Sequence, residues 1–321
     1  MATTKANGLD IAYESHGDPQ DPCVLLIMGL GMQLVAWPDA FIDGIVEQGF
    51  HVIRFDNRDI GLSSKMTHAG KPSLPLAYLK SKLGWPLKSS YTLDDMANDA
   101  LGLLSALGIA RAHLVGVSMG GMIAQVMAAR APGRVLSLVS IMSSSSRRGL
   151  PGPTKVARNA LMKRPKADAS QAELVAHMAA TVRALGSPAY PVADKVLHQR
   201  IAIALSRANC PDGVLRQMVA IGASGDRVAL LPTIACPTLV IHGAADPLIP
   251  LACGIDTASL IPGARLEVIE GMGHDLPPQL IERILALIDV HLHGKMAPQM
   301  RSQPARAEHS STVRNHYIEY S

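Results

Sequence analysis

The segment from His113 to Gly121 contains a serine whose neighbours suit a nucleophile. Apolar residues run into Gly-Val-Ser-Met-Gly at positions 116–120, and a helix-like apolar pattern follows immediately. This order predicts a strand, a very tight turn and a helix, with the Ser118 hydroxyl at the apex. Glycines two positions before and after the serine leave room for the helix beside the strand. We therefore predict that Ser118 is a nucleophile for acyl transfer.

A serine hydroxyl is a weak nucleophile at neutral pH and needs a histidine base that is oriented by an acid. After a serine in such a turn, the acid and then the histidine follow in the chain, each behind a late strand. Asp246 follows the apolar run at 238–242, and His274 lies in a glycine-rich loop behind 266–270. Asp-Pro is also a common turn sequence, so Asp246 alone has a structural interpretation. Combined with Ser118, its position predicts the acid of a catalytic triad.

Acyl transfer also needs backbone N–H donors for the oxyanion that develops on the carbonyl oxygen. One candidate is the N–H of Met119, directly after the nucleophile. The other is the N–H of Leu30, in a Gly-Leu-Gly loop behind the apolar run at 24–28. The residues predicted to line an apolar acyl pocket beside this loop are Met28, Met32 and Trp37. Such side chains are equally typical of ordinary core, and both interpretations stay open.

The elements that must position these residues follow from hydrophobic patterning. Apolar runs alternate with stretches of helical period, which is typical of an α/β protein with a mostly parallel sheet. Strands are predicted at residues 24–28, 50–55, 112–117, 135–142, 238–242 and 266–270, with 11–15 as an antiparallel edge. Helices are predicted at 37–48, 93–107, 119–130, 250–260 and 278–291. The last has an apolar stripe suited to covering a sheet face.

Two segments interrupt the alternation and divide the chain. We predict a core in residues 1–142 with a loop-rich insertion at about 63–90, a helical cap or lid at 143–228, the second part of the core at 229–293, and a polar tail at 294–321. Two charged residues, Asp56 and Arg58, follow the strand predicted at 50–55. We predict that they tie their loop to the tight turn at Ser118, which we call the elbow, rather than take part in catalysis.

Composition excludes several classes of protein. With 321 residues, 48% hydrophobic and 17% charged, the chain is typical of a globular protein. It contains neither an apolar run long enough to cross a bilayer nor an apolar signal core, so an integral membrane protein and export are not expected. The four cysteines are scattered, which favours a reduced cytoplasmic setting. Aromatic residues are 3% of the chain and are not interleaved with basic ones, so nucleic-acid binding is not expected.

The net charge of +4 is unevenly distributed. Residues 62–91 contain five lysines and no acid, and residues 143–228 contain thirteen basic and five acidic residues, a net +8. This asymmetry favours attraction of anionic substrates or of an anionic surface, or it is simply the bias of a solvated lobe.

These motifs together resemble the α/β-hydrolase superfamily over about residues 10–292. More closely, the chain is similar to the serine esterases that include aclacinomycin methylesterase, at residues 37–41, 51–59, 245–250, 260–266 and 271–274 and at the Ser118 turn. The resemblance implies an α/β-hydrolase fold with a mostly parallel central sheet flanked by helices, an inserted helical cap, a Ser118–Asp246–His274 triad and no cofactor. A metal site is not expected either, because His291 and His293 come without further ligands. The resemblance implies hydrolysis of carboxylic esters. It does not imply that this chain acts on the antibiotic for which aclacinomycin methylesterase is named.

The leading hypothesis is a serine carboxylesterase that hydrolyses small-to-medium acyl esters, with a small-molecule ester as its partner and a homodimer left open. A second hypothesis keeps the triad for other acyl chemistry, as in a thioesterase, lactonase, amidase, carbon–carbon hydrolase or perhydrolase. A third is a hydrolase-fold ligand receptor with little turnover. Enzymes of this superfamily whose nucleophile is a carboxylate are disfavoured, because this chain has Ser118 at that position.

Overall fold

The computed structural model describes residues 1–83, 85–166 and 168–294. The strands are β1 (Ala2–Ala6), β2 (Leu9–His16), β3 (Cys23–Ile27), β4 (His51–Phe55), β5 (Ala112–Val117), β6 (Val135–Ile141), β7 (Thr238–Gly243) and β8 (Arg265–Ile269). The helices are α1 (Asp39–Glu47), α2 (Leu74–Lys82), α3 (Leu93–Ala106), α4 (Met119–Arg130), α5 (Lys155–Met162), α6 (Gln171–Leu185), α7 (Asp194–Arg207), α8 (Pro211–Ala223), α9 (Leu251–Leu260) and α10 (Ile281–Leu292).

Within the described residues, the eight strands form one sheet in the order β1-β2-β4-β3-β5-β6-β7-β8. The pairs β1–β2 and β2–β4 are antiparallel, and every pair from β4 onward is parallel. Strand order reverses at β3, which lies between β4 and β5. Open α/β sheets bind their ligands at such a switch point, beyond the carboxyl ends of the strands. The predicted α/β class with a mostly parallel sheet is confirmed.

The central strands β3 to β7 are buried on both faces, which explains why they read as continuous apolar runs. Alternate side chains of one strand point to opposite faces. On β3, Leu25 and Ile27 pack in the core under α3 and α4, whereas Val24 and Leu26 pack in the core under α1 and α10. This second core contains the predicted apolar stripe of α10, including Ile281, Ile284 and Ile288.

Two elements depart from the predictions. The hairpin β1–β2 makes β1 the sheet edge, and β2, predicted as the edge at 11–15, lies inside it. Its turn is Asn7-Gly8, with φ of 50° and 78°, a dipeptide that signals a tight hairpin. The segment predicted as loop-rich contains the helix α2, in which Pro75 is the second residue. At that position the missing proline N–H has no helical acceptor to lose.

Helices α5 to α8 all lie between β6 and β7, within the segment predicted as a cap. Helices α6 and α7 share a small hydrophobic core that is separate from the two sheet cores, centred on the buried residues Ala179, Leu197 and Ile201. We call residues 143–228 the helical insertion. Of the tail predicted at 294–321, residues 295–321 lie outside the described residues. In the described ranges, no helix is both long enough and apolar enough to span a bilayer.

Candidate active site

Ser118 lies at the sharp turn between β5 and α4. Its φ of 54° and ψ of −120° lie outside the regions that residues with a side chain normally adopt. Its N–H donates to the Ile141 carbonyl at 2.9 Å, which anchors the turn to β6. A Cβ at Gly116 would overlap the Gly120 carbonyl, and one at Gly120 would overlap the Ile27 carbonyl. The two glycines of the motif are therefore required for steric reasons, as the sequence indicated.

The structure brings Ser118, His274 and Asp246 into one hydrogen-bonded chain. The His274 Nδ1 lies 2.7 Å from Asp246 Oδ2, and its Nε2 lies 3.0 Å from Ser118 Oγ. Because an ionised carboxylate only accepts hydrogen bonds, Nδ1 donates to Asp246 and Nε2 is left as the acceptor for the serine hydroxyl. This is the arrangement that a general base requires.

One carboxylate oxygen of Asp246 accepts hydrogen bonds from its own turn, and the other faces His274. Its Oδ1 accepts from the N–H groups of Leu248 and Ile249 at 2.8 and 2.9 Å. Its side chain is fully buried, and the His274 side chain is 8% exposed. The structural interpretation of Asp246 as a turn residue and its place beside His274 are therefore compatible.

The loop that carries His274 is bound by the helical insertion. The His274 N–H donates to the Leu185 carbonyl, and the Gly273 N–H donates to Ser187 Oγ, both at 2.8 Å. The Ser187 hydroxyl in turn donates to the carboxyl of Asp275, whose pKa is raised by burial. No sequence pattern indicated Ser187, because its contacts join segments about 90 residues apart.

The two predicted oxyanion donors are next to the serine. A Cβ at Gly29 would lie 3.2 Å from the Ser118 Cβ, so the loop behind β3 lies against the nucleophile. Met119 is the first residue of α4, where an N–H has no acceptor within the helix. Within the described residues, neither the Leu30 N–H nor the Met119 N–H has a hydrogen-bond acceptor.

Of the three predicted pocket residues, two are buried in one core and the third is exposed. Met28 and Trp37 are buried in the core under α1 and α10. The Trp37 ring stacks on Phe41, with centroids 5.1 Å apart. Met32 is 42% exposed. A role of these residues in lining an acyl pocket stays a prediction.

The charged loop behind β4 is structural, with one partner different from that expected. Asp56 accepts from the Leu34 N–H at 2.7 Å, which ties its loop to the segment behind β3. Arg58 does not reach the elbow but pairs with the buried Asp99 of α3 through two nitrogens, at 2.5 and 2.6 Å. The elbow is instead held by Ser143, whose hydroxyl donates to the Ser118 carbonyl at 2.8 Å.

The fold and this site together define a protein of the α/β-hydrolase type. The α/β hydrolase fold family model matches residues 22–278. A rhodomycin D methylesterase from a Streptomyces species is 30% identical over 87% of this chain and 93% of its own length. A putative carbamate hydrolase of Variovorax paradoxus is 29% identical over 83% of this chain and 90% of its own.

Among solved structures, a meta-cleavage product hydrolase from Pseudomonas fluorescens superposes with a TM-score of 0.72 at 21% identity. The superposition covers 92% of this chain and 98% of the chain of that hydrolase. The family match extends over most of the chain, and the most similar of these relatives aligns over nearly its whole length. The chain belongs to the α/β hydrolase fold family.

Proposed function

We propose that this protein is a serine carboxylesterase that hydrolyses small-to-medium acyl esters through an acyl-enzyme intermediate. The observation that carries the proposal is the hydrogen-bonded chain from Ser118 through His274 to the buried Asp246. The similarity to rhodomycin D methylesterase supports a carboxylic ester as the substrate class.

The roles follow from the geometry. Ser118 Oγ attacks the ester carbonyl carbon while His274 Nε2 takes the hydroxyl proton, and Asp246 stabilises the imidazolium that forms. The Leu30 and Met119 N–H groups donate to the tetrahedral oxyanion. The intermediate then breaks its bond to the leaving alcohol, which receives the proton from His274. In deacylation His274 Nε2 takes a proton from a water that attacks the acyl carbon. The bond to Ser118 Oγ then breaks, His274 returns the proton to that oxygen, and the carboxylic acid leaves.

We further propose that residues 143–228 act as a cap that selects the acyl group. Support comes from the contacts of Leu185 and Ser187 with the His274 loop, because they attach the insertion directly to the site. The thiols of the four cysteines are all unpaired, which supports a reducing cytoplasmic setting.

The test is hydrolysis of p-nitrophenyl esters from acetyl to decanoyl by the wild type and by Ser118→Ala. We expect the substitution to reduce kcat by about 10⁶-fold without loss of folding, as is typical when a catalytic serine is removed. Ser143→Ala is the matched control, because it removes a neighbouring hydroxyl that has no part in the chemistry. It should retain kcat within about tenfold, since only one hydrogen bond is lost. A Ser118→Ala variant with wild-type turnover would contradict the proposal.

A second candidate function is carbamate hydrolysis, which the similarity to a putative carbamate hydrolase favours. A carbamoyl group on Ser118 would form and break down through the same kind of tetrahedral intermediate as an acyl group. The two candidates separate in the ratio of kcat/KM for an ester and a carbamate that share the p-nitrophenol leaving group. A ratio that favours the carbamate would replace the ester proposal.

A further inference from the structure

The inserted helix α8 contacts the candidate oxyanion loop, and its only side-chain amide to do so within the described residues is that of Gln217. Gln217 is fully buried, and its Oε1 accepts from the Gly31 N–H at 2.9 Å. Its Nε2 donates to the Arg58 carbonyl at 3.0 Å. Val214, one turn earlier on α8, also packs here, because a Cβ at Gly31 would lie 3.1 Å from its Cγ2. Both ends of the Gln217 amide are thus used to join the helical insertion to the loops behind β3 and β4.

The hydrogen bonds of this loop leave the Leu30 N–H free beside the nucleophile. The Gly31 N–H is occupied by Gln217, and the Met32 N–H donates to the Gly29 carbonyl at 3.2 Å. In the part of the chain that the structure describes, the Leu30 N–H has no acceptor. The two N–H groups that follow Leu30 are therefore bound by the protein, and the Leu30 N–H is left for an oxyanion.

The peptide between Leu30 and Gly31 needs an external contact to fix its orientation. Gly31 has a φ of +71°, and a glycine accepts several orientations of the preceding peptide at little cost. In a trans peptide the N–H and the C=O point in opposite directions. Holding the Gly31 N–H toward Gln217 therefore turns the Leu30 carbonyl the other way. Without this bond, Gly31 loses its anchor to α8, and the backbone one residue earlier, which carries the Leu30 N–H, can move relative to Ser118.

We propose that Gln217 is a positioning residue that sets the Leu30 N–H of the oxyanion hole from the helical insertion. The proposal rests on the proposed function, since it concerns the same tetrahedral intermediate. Its consequence is that oxyanion stabilisation depends on the docking of α8. The insertion thereby acts on the rate of chemistry in addition to any selection of the acyl group.

The experiment compares inhibition by an alkyl trifluoromethyl ketone with inhibition by the methyl ketone of the same length. Ser118 Oγ adds to the first to give a tetrahedral oxyanion, with the serine proton passing to His274, whereas the second binds without addition. Complete loss of an oxyanion donor typically reduces kcat about 10²–10³-fold. For the misplaced donor of Gln217→Met, we expect a loss of roughly 10- to 100-fold in kcat and in trifluoromethyl ketone affinity. KM and methyl ketone affinity should change less than about threefold, because ground-state binding does not use the oxyanion hole.

The matched control is Gln33→Met, which also removes buried hydrogen bonds between the insertion and the same loop. Gln33 Nε2 donates to the carbonyls of Ala204 and Ala208 at 2.7 and 2.8 Å, without contact to the Leu30–Gly31 peptide. It should lower the melting temperature but keep trifluoromethyl ketone affinity. Equal weakening in both variants would overturn the proposal, because docking in general would then be responsible. Wild-type affinity in folded Gln217→Met would overturn it too.

If Gln217→Met does not fold, Gln217→Asn takes its place, since its shorter amide cannot span Gly31 and Arg58 together. Wild-type affinity for the trifluoromethyl ketone in that variant overturns the proposal, and a selective loss supports it. A wild-type protein that hydrolyses no ester and forms no adduct would reject the proposed function and this inference together. An active wild type beside an unaffected Gln217 variant rejects this inference alone.

Discussion

Replacement of Asp246 by asparagine tests how the site fixes the tautomer of its histidine. Two N–H donors, from Leu248 and Ile249, point at the position of Oδ1. An asparagine there must place its carbonyl oxygen toward them, because its NH₂ group would face two donors. The NH₂ group then occupies the position of Oδ2, 2.7 Å from His274 Nδ1. Nδ1 must accept from it, so the ring proton moves to Nε2.

A proton on Nε2 makes His274 a donor toward Ser118 Oγ, across the 3.0 Å that separates the two atoms. The histidine then cannot take the serine proton. We expect kcat for p-nitrophenyl butyrate to fall about 10⁴-fold, the size associated with a wrong tautomer in a serine triad. That loss corresponds to about 5 kcal/mol of transition-state stabilisation at 1.36 kcal/mol per factor of ten.

The assay is steady-state hydrolysis, with melting temperature as the measure of folding. Asp275→Asn is the matched control, because Asp275 is the adjacent, half-buried carboxyl and bonds Ser187 instead of the His274 ring. It should stay within about tenfold of the wild-type kcat, since the triad geometry is not touched. If Asp246→Asn is folded and retains more than a tenth of the wild-type kcat, the tautomer argument is refuted.

Two further predictions concern stability. Gly120→Ala should not fold normally, because its Cβ would overlap the Ile27 carbonyl. Gly133→Ala is the control, because its Cβ would meet open space, and it should melt as the wild type does. Equal melting temperatures of the two variants would contradict the steric argument. Burial lowers the pKa of His113 and of His291 to about 4 in the folded protein. Below pH 6.5 the unfolded chain therefore binds more protons than the folded one, and the free energy of unfolding decreases as the pH is lowered. Each histidine should remove about 2 kcal/mol between pH 7.5 and 5.0 in urea unfolding, and His113→Asn should reduce that loss; an unfolding free energy independent of pH would contradict it.

The positions of the three residues that meet in the candidate site could be predicted because each comes shortly after an apolar run. Ser118 follows β5, Asp246 follows β7, and His274 follows β8. Parallel strands place their carboxyl ends at one edge of the sheet, so residues up to 156 positions apart meet there without any local signal. Strand and helix types were equally predictable, since the periods of the apolar residues differ.

The departures have local causes. The strand β1 has one buried residue, Ala6, so it lacks the apolar pattern of a strand, although Asn7-Gly8 signalled its hairpin. The helix α2 was hidden by prolines that are tolerated at helix ends. Arg58 was assigned to the elbow because it follows a strand, but its long side chain reaches Asp99 of α3.

The sequence by itself determined the strand-turn-helix around Ser118, the places of Asp246 and His274 behind later strands, and the class of fold, because these depend on local sterics and on hydrophobic period. Only the tertiary structure decided which side chains hold the site in place. Ser143 at the elbow, Ser187 at the histidine loop and Gln217 at Gly31 each act through hydrogen bonds to backbone groups distant in the chain. Every residue has a backbone C=O, and every residue except proline has a backbone N–H. The type of a residue therefore does not show in advance which distant side chain its backbone will bind.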